Sequence, residues 1–455
     1  MSYRAEQGDI TMVLAGDAMP ARALTPFDEP EYLALLALMR GADVAFANLE
    51  TTVREASEGT PILTQGTPMS TPPALVDELA WMGLRLMSCA NNHATDYGVD
   101  GLRAMLAHLR RARMAHAGAG ENLAAARKPA YLDTAAGRVA LTAATSFFPP
   151  WTRAADQRPD AGGRPGVNPL GFSTSYTVDE DTLTALKRAS EGLGLKQAAT
   201  RHRAMFFAAH EAPADGDDSV NFLGSRFTRG NRFAVSTKVD SRDAEENLRW
   251  MREAKRQADW LIFSFHNHEF GDGGRLTAPT SVGMEEPAEF AHLFARAAID
   301  AGADVVAGHG PHLTLGIEIY KGRPILYSLG NFVFQNDNVA TFPSESYQRF
   351  GLGPDATPTD FLDARTGNGV RGFPAEEAYW HGIAAEARFK GGKLDALILH
   401  PLDLGFGKPR AQRGRPLLAR GATARTILER VARLSERYGT KIVIEGERGV
   451  VRLAD

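Results

Sequence analysis

The chain alternates strand-length apolar runs with segments of helical periodicity, and this alternation restricts its possible folds more than any other feature. Helical segments such as "EYLALLALMRG" and "GVDGLRAMLAHLRRARM" separate one run from the next. Such alternation predicts an α/β fold. The runs that we predict as strands are "DITMVLAG", "ADVAFA", "LRLMSCA", "RVALTAAT", "DWLIFSF" and "ADVVAG".

Five of these strands end in residue types that can bind a metal ion. In open α/β sheets, ligands bind beyond the carboxyl ends of parallel strands. If the strands are mostly parallel neighbours, we expect their terminal side chains to meet in one crevice. A glycine-rich turn, "GHGPH" at 308–312, presents two of the imidazoles. The residues are Asp17, Asn48 with Glu50, Asn92 with His93, His266, and His309 with His312.

These donors are carboxylates, amides and imidazoles, and no thiolate is among them. Such a set favours one or two ions of manganese, iron or zinc over a structural zinc site. Taken singly, each residue has a simpler explanation, since Asp17 could stabilise a turn and "NNH" at 91–93 could cap a helix. A polar hydrogen-bond network without metal therefore remains an alternative.

Composition excludes several classes of protein. The formal net charge is -4, from 51 basic and 55 acidic residues, which argues against a nucleic-acid partner. The single cysteine, Cys89, cannot form an internal disulfide, and this is compatible with a reducing compartment. We find no apolar run long enough for a membrane anchor and no signal-peptide core, so we expect a cytoplasmic protein.

The domain organisation follows from changes in pattern along the chain. We predict a main domain at 1–405 and a small C-terminal α+β extension at 406–455. Within the main domain, 150–245 is rich in proline, glycine and arginine, and we interpret it as an insertion or a lid. A second irregular stretch at about 335–378 could border a site. Before it, "RPILYSLGNFVF" is predicted as one strand.

Five motifs occur in a specific order along 9–335: "LAGDAM", "ANLETTV", "CANNHATDYGVDGL", "SFHNHE" and "GADVVAGHGPHLTLGIEIYKGRPILYSLGNFVF". They resemble the successive motifs of the CapA, or poly-gamma-glutamate capsule biosynthesis, family, which is related to the calcineurin-like metallophosphoesterases. The resemblance implies a calcineurin-like four-layer αββα sandwich with its metal site at the strand ends.

The resemblance also implies roles for individual residues. His93 would be the general acid of the "NNH" motif, and we group Asp96 and Glu269 with it as catalytic candidates. Glu269 could orient His266 from outside the ligand shell. The implied metal ligands are Asp17, Glu50, Asn92, His266, His309 and His312.

Three positions depart from the motifs of these families. Met19 occupies the place of a histidine ligand, which puts full two-metal occupancy in question. His312 follows His309 one residue later than in the usual motif, and this spacing could displace it from the metal. His268 replaces a usual glycine, so it could be an extra ligand or a loop histidine.

Two functions remain open at this point. The first is a metal-dependent hydrolase acting on an amide, such as a gamma-glutamyl bond, or on a phosphoester, with a small-molecule or peptide substrate. The second is a non-catalytic accessory protein in poly-gamma-glutamate synthesis or export. Arg22, Arg164 and Asn331 are our candidates for substrate binding, although either arginine could simply face solvent. A homo-oligomer is possible.

Overall fold

The structure, a computed structural model, describes residues 7–25, 27–63, 66–206, 215–271 and 284–453. It confirms the α/β class. The strands are β1 (Ile10–Met19), β2 (Val44–Leu49), β3 (Thr52–Val53), β4 (Ser70–Thr71), β5 (Leu86–Ser88), β6 (Ala115–Ala117), β7 (Ala119–Gly120), β8 (Ala130–Thr134), β9 (Gly137–Thr145), β10 (Gly166–Val167), β11 (Phe172–Val178), β12 (Ser219–Phe222), β13 (Ser225–Arg229), β14 (Ala234–Val239), β15 (Trp260–His266), β16 (Val305–His309), β17 (Ile317–Tyr320), β18 (Arg323–Leu326), β19 (Asn331–Phe334), β20 (His381–Lys390), β21 (Lys393–Asp403), β22 (Leu417–Leu418), β23 (Lys441–Glu445) and β24 (Arg448–Arg452).

Helices follow most of the parallel strands, as the sequence periodicity predicts. They are α1 (Pro30–Gly41), α2 (Ala74–Trp81), α3 (Gly98–Arg111), α4 (Leu123–Arg127), α5 (Glu180–Gly192), α6 (Leu195–Phe206), α7 (Ser241–Lys255), α8 (Glu289–Asp300), α9 (Ser344–Gln348), α10 (Pro358–Thr366) and α11 (Gly421–Ser435).

Two large sheets contain the strands that lead to the candidate site. The first has the order β23-β24-β21-β20-β1-β2-β5-β6, with β19 also paired to β1 and β22 to β21. The second has the order β17-β18-β16-β15-β9-β8. Strands β1, β2, β5 and β6 run parallel, and so do β9, β15, β16 and β18. Each sheet thus presents several carboxyl ends at one edge.

Alternating residues on the central strands pack to opposite sides. On β1, Met12 and Leu14 join Trp260 and Ile262 of β15 in a core between the two sheets. The intervening Val13 packs instead in a second cluster that contains side chains of α1, α2 and α3. A third cluster joins the second sheet to α7 and α8. Both sheets are therefore buried on both faces, which explains why their strands are continuous apolar runs.

Two segments outside this arrangement have structure of their own. The predicted insertion at 150–245 contains a four-stranded sheet, β12-β13-β11-β14, together with α5 and α6. At the C-terminus, β24 pairs with β21, while Ile427 and Leu428 of α11 lie in the core between the sheets. The tail has the predicted α+β elements; the division into domains at 405 stays a prediction.

The interpretation of "RPILYSLGNFVF" as one strand is wrong. The segment forms β18 in the second sheet and β19 in the first, with a turn between them. Gly330 makes the turn possible, because its φ of 69° lies in the left-handed region and a Cβ there would lie 2.7 Å from the carbonyl oxygen of His381. The chain thus crosses between the two sheets immediately before Asn331.

Candidate metal centre

Asp17 lies near the end of β1, where the pairing of the strand becomes irregular. The register of β1 shifts between Leu14 and Asp17 against β2, and again after Asp17 against β19. The Asp17 carboxylate accepts hydrogen bonds from Asn48 Nδ2 at 2.8 Å and from the backbone N–H of Gly310 at 3.0 Å. Burial raises the pKa of Asp17 to about 7, although these hydrogen bonds act in the opposite direction.

Glu50 directly follows β2 and is fully buried. No N–H or hydroxyl donor of the described residues reaches either of its carboxylate oxygens, and the carboxyl group of Asp17 is close enough to share a proton with it. Its Oε1 lies 3.7 Å from His266 Nε2, and its Oε2 lies 3.8 Å from His312 Nδ1. Burial, and then the neighbouring charge of Asp17, raise the pKa of Glu50 well above its usual value. A buried carboxylate with no donor is costly unless a cation compensates it.

His266 and His309 occupy the carboxyl ends of the adjacent parallel strands β15 and β16. Their Nδ1 atoms are 3.0 Å apart, and His309 Nδ1 lies 3.5 Å from Asp17 Oδ1. Burial lowers the pKa of His309 to about 3, and burial with neighbouring imidazoles lowers that of His266 well below its usual value. Both rings are therefore neutral near pH 7, which is the form that binds metals.

His312 is held in an unusual backbone conformation. Its φ of 59° is left-handed, which is uncommon for a residue with a side chain. Its Nδ1 lies 2.9 Å from Asn331 Oδ1, while Asn331 Nδ2 donates to the carbonyl of Tyr379. Burial lowers the pKa of His312 to about 4. The structure thus brings Asn331 to the site as a partner of His312, and its contact with substrate stays a prediction.

The turn after β5 contributes Asn92, His93 and Asp96. Asn92 Oδ1 lies 2.8 Å from His266 Nε2. His93 Nδ1 lies 2.6 Å from Asp96 Oδ2, which also accepts the backbone N–H of Met69. His93 Nε2 lies 3.8 Å from Glu50 Oε1. The Asp96 carboxylate thus holds Nδ1 of the His93 ring, and Nε2 of the same ring faces Glu50.

His268 and Glu269 follow β15. The His268 ring stacks on Phe147 with centroids 4.1 Å apart, and its Nε2 lies 3.1 Å from His266 Nε2. Glu269 Oε2 accepts hydrogen bonds from Ser146 Oγ at 2.6 Å and from the backbone N–H of His268 at 3.1 Å. These contacts show Glu269 supporting the neighbouring histidine, and its predicted role in orienting His266 stays a prediction.

The side chains form two groups whose ligand atoms lie within 4.8 Å of one another. The first group is Asp17, His266 and His309, all buried. The second is Glu50, His268 and His312, of which His268 is partly exposed. The structure thus brings the sequence-predicted carboxylates and imidazoles together, and it adds His268, which the sequence left open.

Ser264 is a site residue that the sequence analysis missed. Its Oγ lies 2.6 Å from His309 Nε2, so it is the hydrogen-bond partner of that imidazole. A signal was available, because side chains two residues apart on a strand point to the same face. Ser264 therefore had to share a face of β15 with His266.

The arginines and Met19 lie apart from the two groups. Arg22 donates to the backbone carbonyls of Ala411 and Arg413. Arg164 is exposed and donates to the carbonyl of Arg153. Met19 packs in an apolar cluster with Met69 and Phe334, as its side chain requires. None of these contacts directs either guanidinium to the cluster, so a role for either in substrate binding stays a prediction.

Residues 11–336 match the family described as "Bacterial capsule synthesis protein PGA_cap". The chain belongs to this family. Uncharacterized protein y4uA of Sinorhizobium fredii is 37% identical over 454 residues, which cover 97% of this chain and 93% of that protein. PGA biosynthesis protein CapA of Bacillus subtilis is 32% identical over 154 residues, which cover 32% of this chain and 37% of that protein. The resemblance to CapA proteins is thereby confirmed.

A solved structure of a hypothetical protein from Thermus thermophilus aligns with 87% of this chain and 99% of its own, at a TM-score of 0.38 and 13% identity. A likeness at this TM-score supports no further conclusion. All the residues of the two groups lie inside the part that matches the PGA_cap family. Across the described ranges, no helix combines the length and the apolar character needed to cross a membrane.

Proposed function

We propose that this PGA_cap protein is a metal-dependent hydrolase whose ion is held by Asp17, His266 and His309. One observation carries the proposal: three ligand atoms from three strands lie within 4.8 Å of one another in a fully buried cluster. The two imidazoles are neutral, and their Nδ1 atoms lie 3.0 Å apart. With the proton of each ring on its other nitrogen, both Nδ1 lone pairs would be available to one cation. Nitrogen and carboxylate donors suit manganese, iron or zinc.

The fold that we propose for this site is the calcineurin-like sandwich. Its support is the core between two sheets, with helices packed against the outer face of each. The first sheet contributes Asp17 from β1 and is followed directly by Glu50 after β2, and the second sheet contributes His266 and His309. A site at the junction of two sheets needs such an arrangement, because neither sheet holds all the ligands.

A bound divalent ion would supply an activated water and polarise the scissile oxygen. The chain itself supplies the proton for the leaving group. Asp96 accepts from Nδ1 of His93, which directs Nε2 of the ring to the cluster. His93 is thus the general acid, and Asp96 is a positioning residue that fixes the orientation of the ring.

The substrate that we propose is a small molecule or peptide with an amide or phosphoester bond. The name of the Bacillus subtilis relative, PGA biosynthesis protein CapA, favours testing gamma-glutamyl amides first. A cytoplasmic location and a homo-oligomer are part of the same proposal. The chemistry at the ion is common to a carbonyl and a phosphoryl centre, so both bond types are tested.

The test begins with elemental analysis of the full chain purified without chelator. His309→Ala removes one ligand, and His202→Ala is the matched control because His202 lies exposed on α6. We expect at least one ion per chain in the wild type and the control, and loss of that ion in His309→Ala with the circular dichroism spectrum retained. Absence of metal in the wild type after reconstitution with manganese, iron and zinc would overturn the proposal.

Loaded protein is then assayed on gamma-glutamyl amides and phosphomonoesters, beside Asp96→Asn. We expect kcat to fall about 10²–10⁴-fold in this variant, with KM and metal content unchanged, because only proton transfer is impaired. Metal binding without turnover of either substrate class would favour the second candidate, an accessory role. The name of a Mycobacterium tuberculosis relative, "Probable polyglutamine synthesis accessory protein Rv0574c", supports that candidate. This relative is 31% identical over 164 residues, which cover 34% of this chain and 40% of that protein.

A further inference from the structure

A cavity of about 280 Å³ opens beside the carboxyl ends of β1 and β19. One part of its lining follows these two strands and includes Arg22 and Gln335. Another part comes from the loop between β21 and β22, which contributes Lys408 and Arg415. The cavity thus lies at the same edge of the first sheet as Asp17, and no described residue that lines it belongs to either ligand group.

Gln335 provides the evidence that a ligand belongs in this cavity. Its side chain is 1% exposed, and its Oε1 accepts the backbone N–H groups of Ala21 and Arg22, each at 2.8 Å. These two donors fix the orientation of the amide, because the opposite orientation would place its NH₂ group against both of them. Nε2 is then a donor at the cavity that reaches no acceptor among the described residues. Since buried polar groups are normally hydrogen-bonded, this nitrogen indicates an acceptor supplied by a ligand.

The charge of the lining indicates which kind of acceptor fits. Three of the lining residues are cations and one, Glu29, is an anion, so the cavity has an excess of two positive charges. Both terminal nitrogens of Arg415 donate to the Glu29 carboxylate, and this pair is neutral. The excess therefore comes from Arg22 and Lys408, and the complementary ligand is an anion.

Arg22 is held at the cavity without a counterion. Its terminal nitrogens donate to the backbone carbonyls of Ala411 and Arg413, and its buried Nε reaches no acceptor in the described part of the chain. Burial, and then the charge of Arg415, lower the pKa of Arg22, while Asp337 acts in the opposite direction. A bound anion would offset the cost of burying this charge.

Lys408 lies where the side chain can close on a ligand. The residue is exposed, and its backbone N–H donates to the carbonyl of Gly405 at 3.1 Å, which closes the turn before it. Across the described ranges, its ammonium forms no ion pair. A lysine ammonium is a point charge with three donors on a flexible stem, so it can adapt to an arriving oxyanion.

We propose that this cavity binds a small oxyanion, a carboxylate or a phosphate group, with Gln335 donating a hydrogen bond and with Arg22 and Lys408 supplying the positive charge. The cavity is smaller than the about 300–1,000 Å³ of sites for drug-sized molecules, which suits a single anionic group. The inference goes beyond the proposed function and needs no metal ion. A glutamyl compound and a phosphorylated compound are two sources of the same oxyanion chemistry.

The experiment measures anion binding to the full chain by isothermal titration calorimetry. The protein is first treated with chelator, so that no metal ion can bind the anion. Inorganic phosphate and glutarate are the probes, one for each source. Gln335→Glu keeps an acceptor for Ala21 and Arg22 and replaces the donor with a carboxylate oxygen. Lys408→Met removes the ammonium, and Lys196→Met is the matched control, because Lys196 lies exposed on α6.

We expect at least one probe to bind the wild type and the control with equal affinity. Gln335→Glu should weaken this binding at least about tenfold, because a hydrogen bond to a charged group is lost and a repulsive charge is added. Lys408→Met should weaken it less and reduce its dependence on salt.

The probe that binds identifies the source of the oxyanion. Binding of phosphate alone would indicate a phosphorylated compound, and binding of glutarate alone would indicate a carboxylate. Failure of both probes to bind the wild type at millimolar concentrations would overturn the inference, and so would unchanged affinity in either variant. Because the protein is free of metal in every arm, the proposed function is tested separately.

Discussion

Asp17 and Glu50 are two buried carboxyl groups that influence each other's ionisation. Of the two, Asp17 accepts the hydrogen bonds from neighbouring donors. The Asp17 carboxylate accepts hydrogen bonds from Asn48 Nδ2 and from the backbone N–H of Gly310. No N–H or hydroxyl donor of the described residues reaches Glu50. Burying an ionised carboxylate with few donors lowers the free energy of unfolding. The same desolvation raises the pKa of both Asp17 and Glu50. Such a loss of stability is typical of residues that serve a functional site.

Glu50→Gln tests this cost at the scale of one residue. We expect the ion-free variant to be more stable than the ion-free wild type by about 1–3 kcal/mol, because the shape is kept and the buried charge is removed. The same change should weaken ion binding. Chelator-treated proteins would be compared by denaturant unfolding, with exposed Glu55→Gln as the control, which should have no effect. A Glu50→Gln variant less stable than the wild type would show that the carboxylate is satisfied without an ion.

Strand ends and the turns that follow them are the elements that assemble the site. Gly310 lies in the turn between His309 and His312 with a φ of 115°. A Cβ there would lie 2.6 Å from the carbonyl oxygen of Asn267 and 3.1 Å from a ring carbon of His266. The glycine therefore lets the loop approach the end of β15, while its N–H binds Asp17.

Gly310→Ala should disturb both the backbone and the metal site. Gly322→Ala is a matched control, because Gly322 also has a positive φ, of 73°, but a Cβ there would meet nothing within 4 Å. We expect the control to lose about 1–2 kcal/mol from the backbone conformation alone. Gly310→Ala should lose more, through the added clash, and only it should lose bound metal. Equal stability losses with metal retained in both would contradict this role of the turn.

The elements were largely predictable from the sequence, and their pairing was not. Apolar runs located β9 and β15 to within a residue or two, because burial on both faces leaves a local signature. The side chains at the strand ends were predictable for the same reason. The separation of β18 from β19 was missed, since it depends on the conformation of Gly330 and on partners distant in the chain. The position of His268 depends in the same way on its stack against Phe147.

At the scale of the whole molecule, the candidate ion would connect the two large sheets. Asp17 belongs to the first sheet, and His266 and His309 belong to the second. The core between the sheets is apolar, so at this edge the direct polar contacts between them involve the site residues. An ion bound there would cross-link the sheets in the native state and have no equivalent site in the unfolded chain.

Removal of a bound ion should therefore lower the thermal stability of the entire protein. An ion present at 100 times its Kd stabilises the native state by about 2.7 kcal/mol, and chelation should remove this contribution. We expect Tm to fall by several degrees on chelation in the wild type and in His202→Ala. Ligand variants on either sheet, Asp17→Ala or His309→Ala, should show no such fall, because they have no ion to lose. An unchanged Tm after complete removal of metal from the wild type would mean that the sheets are held together by their apolar core alone.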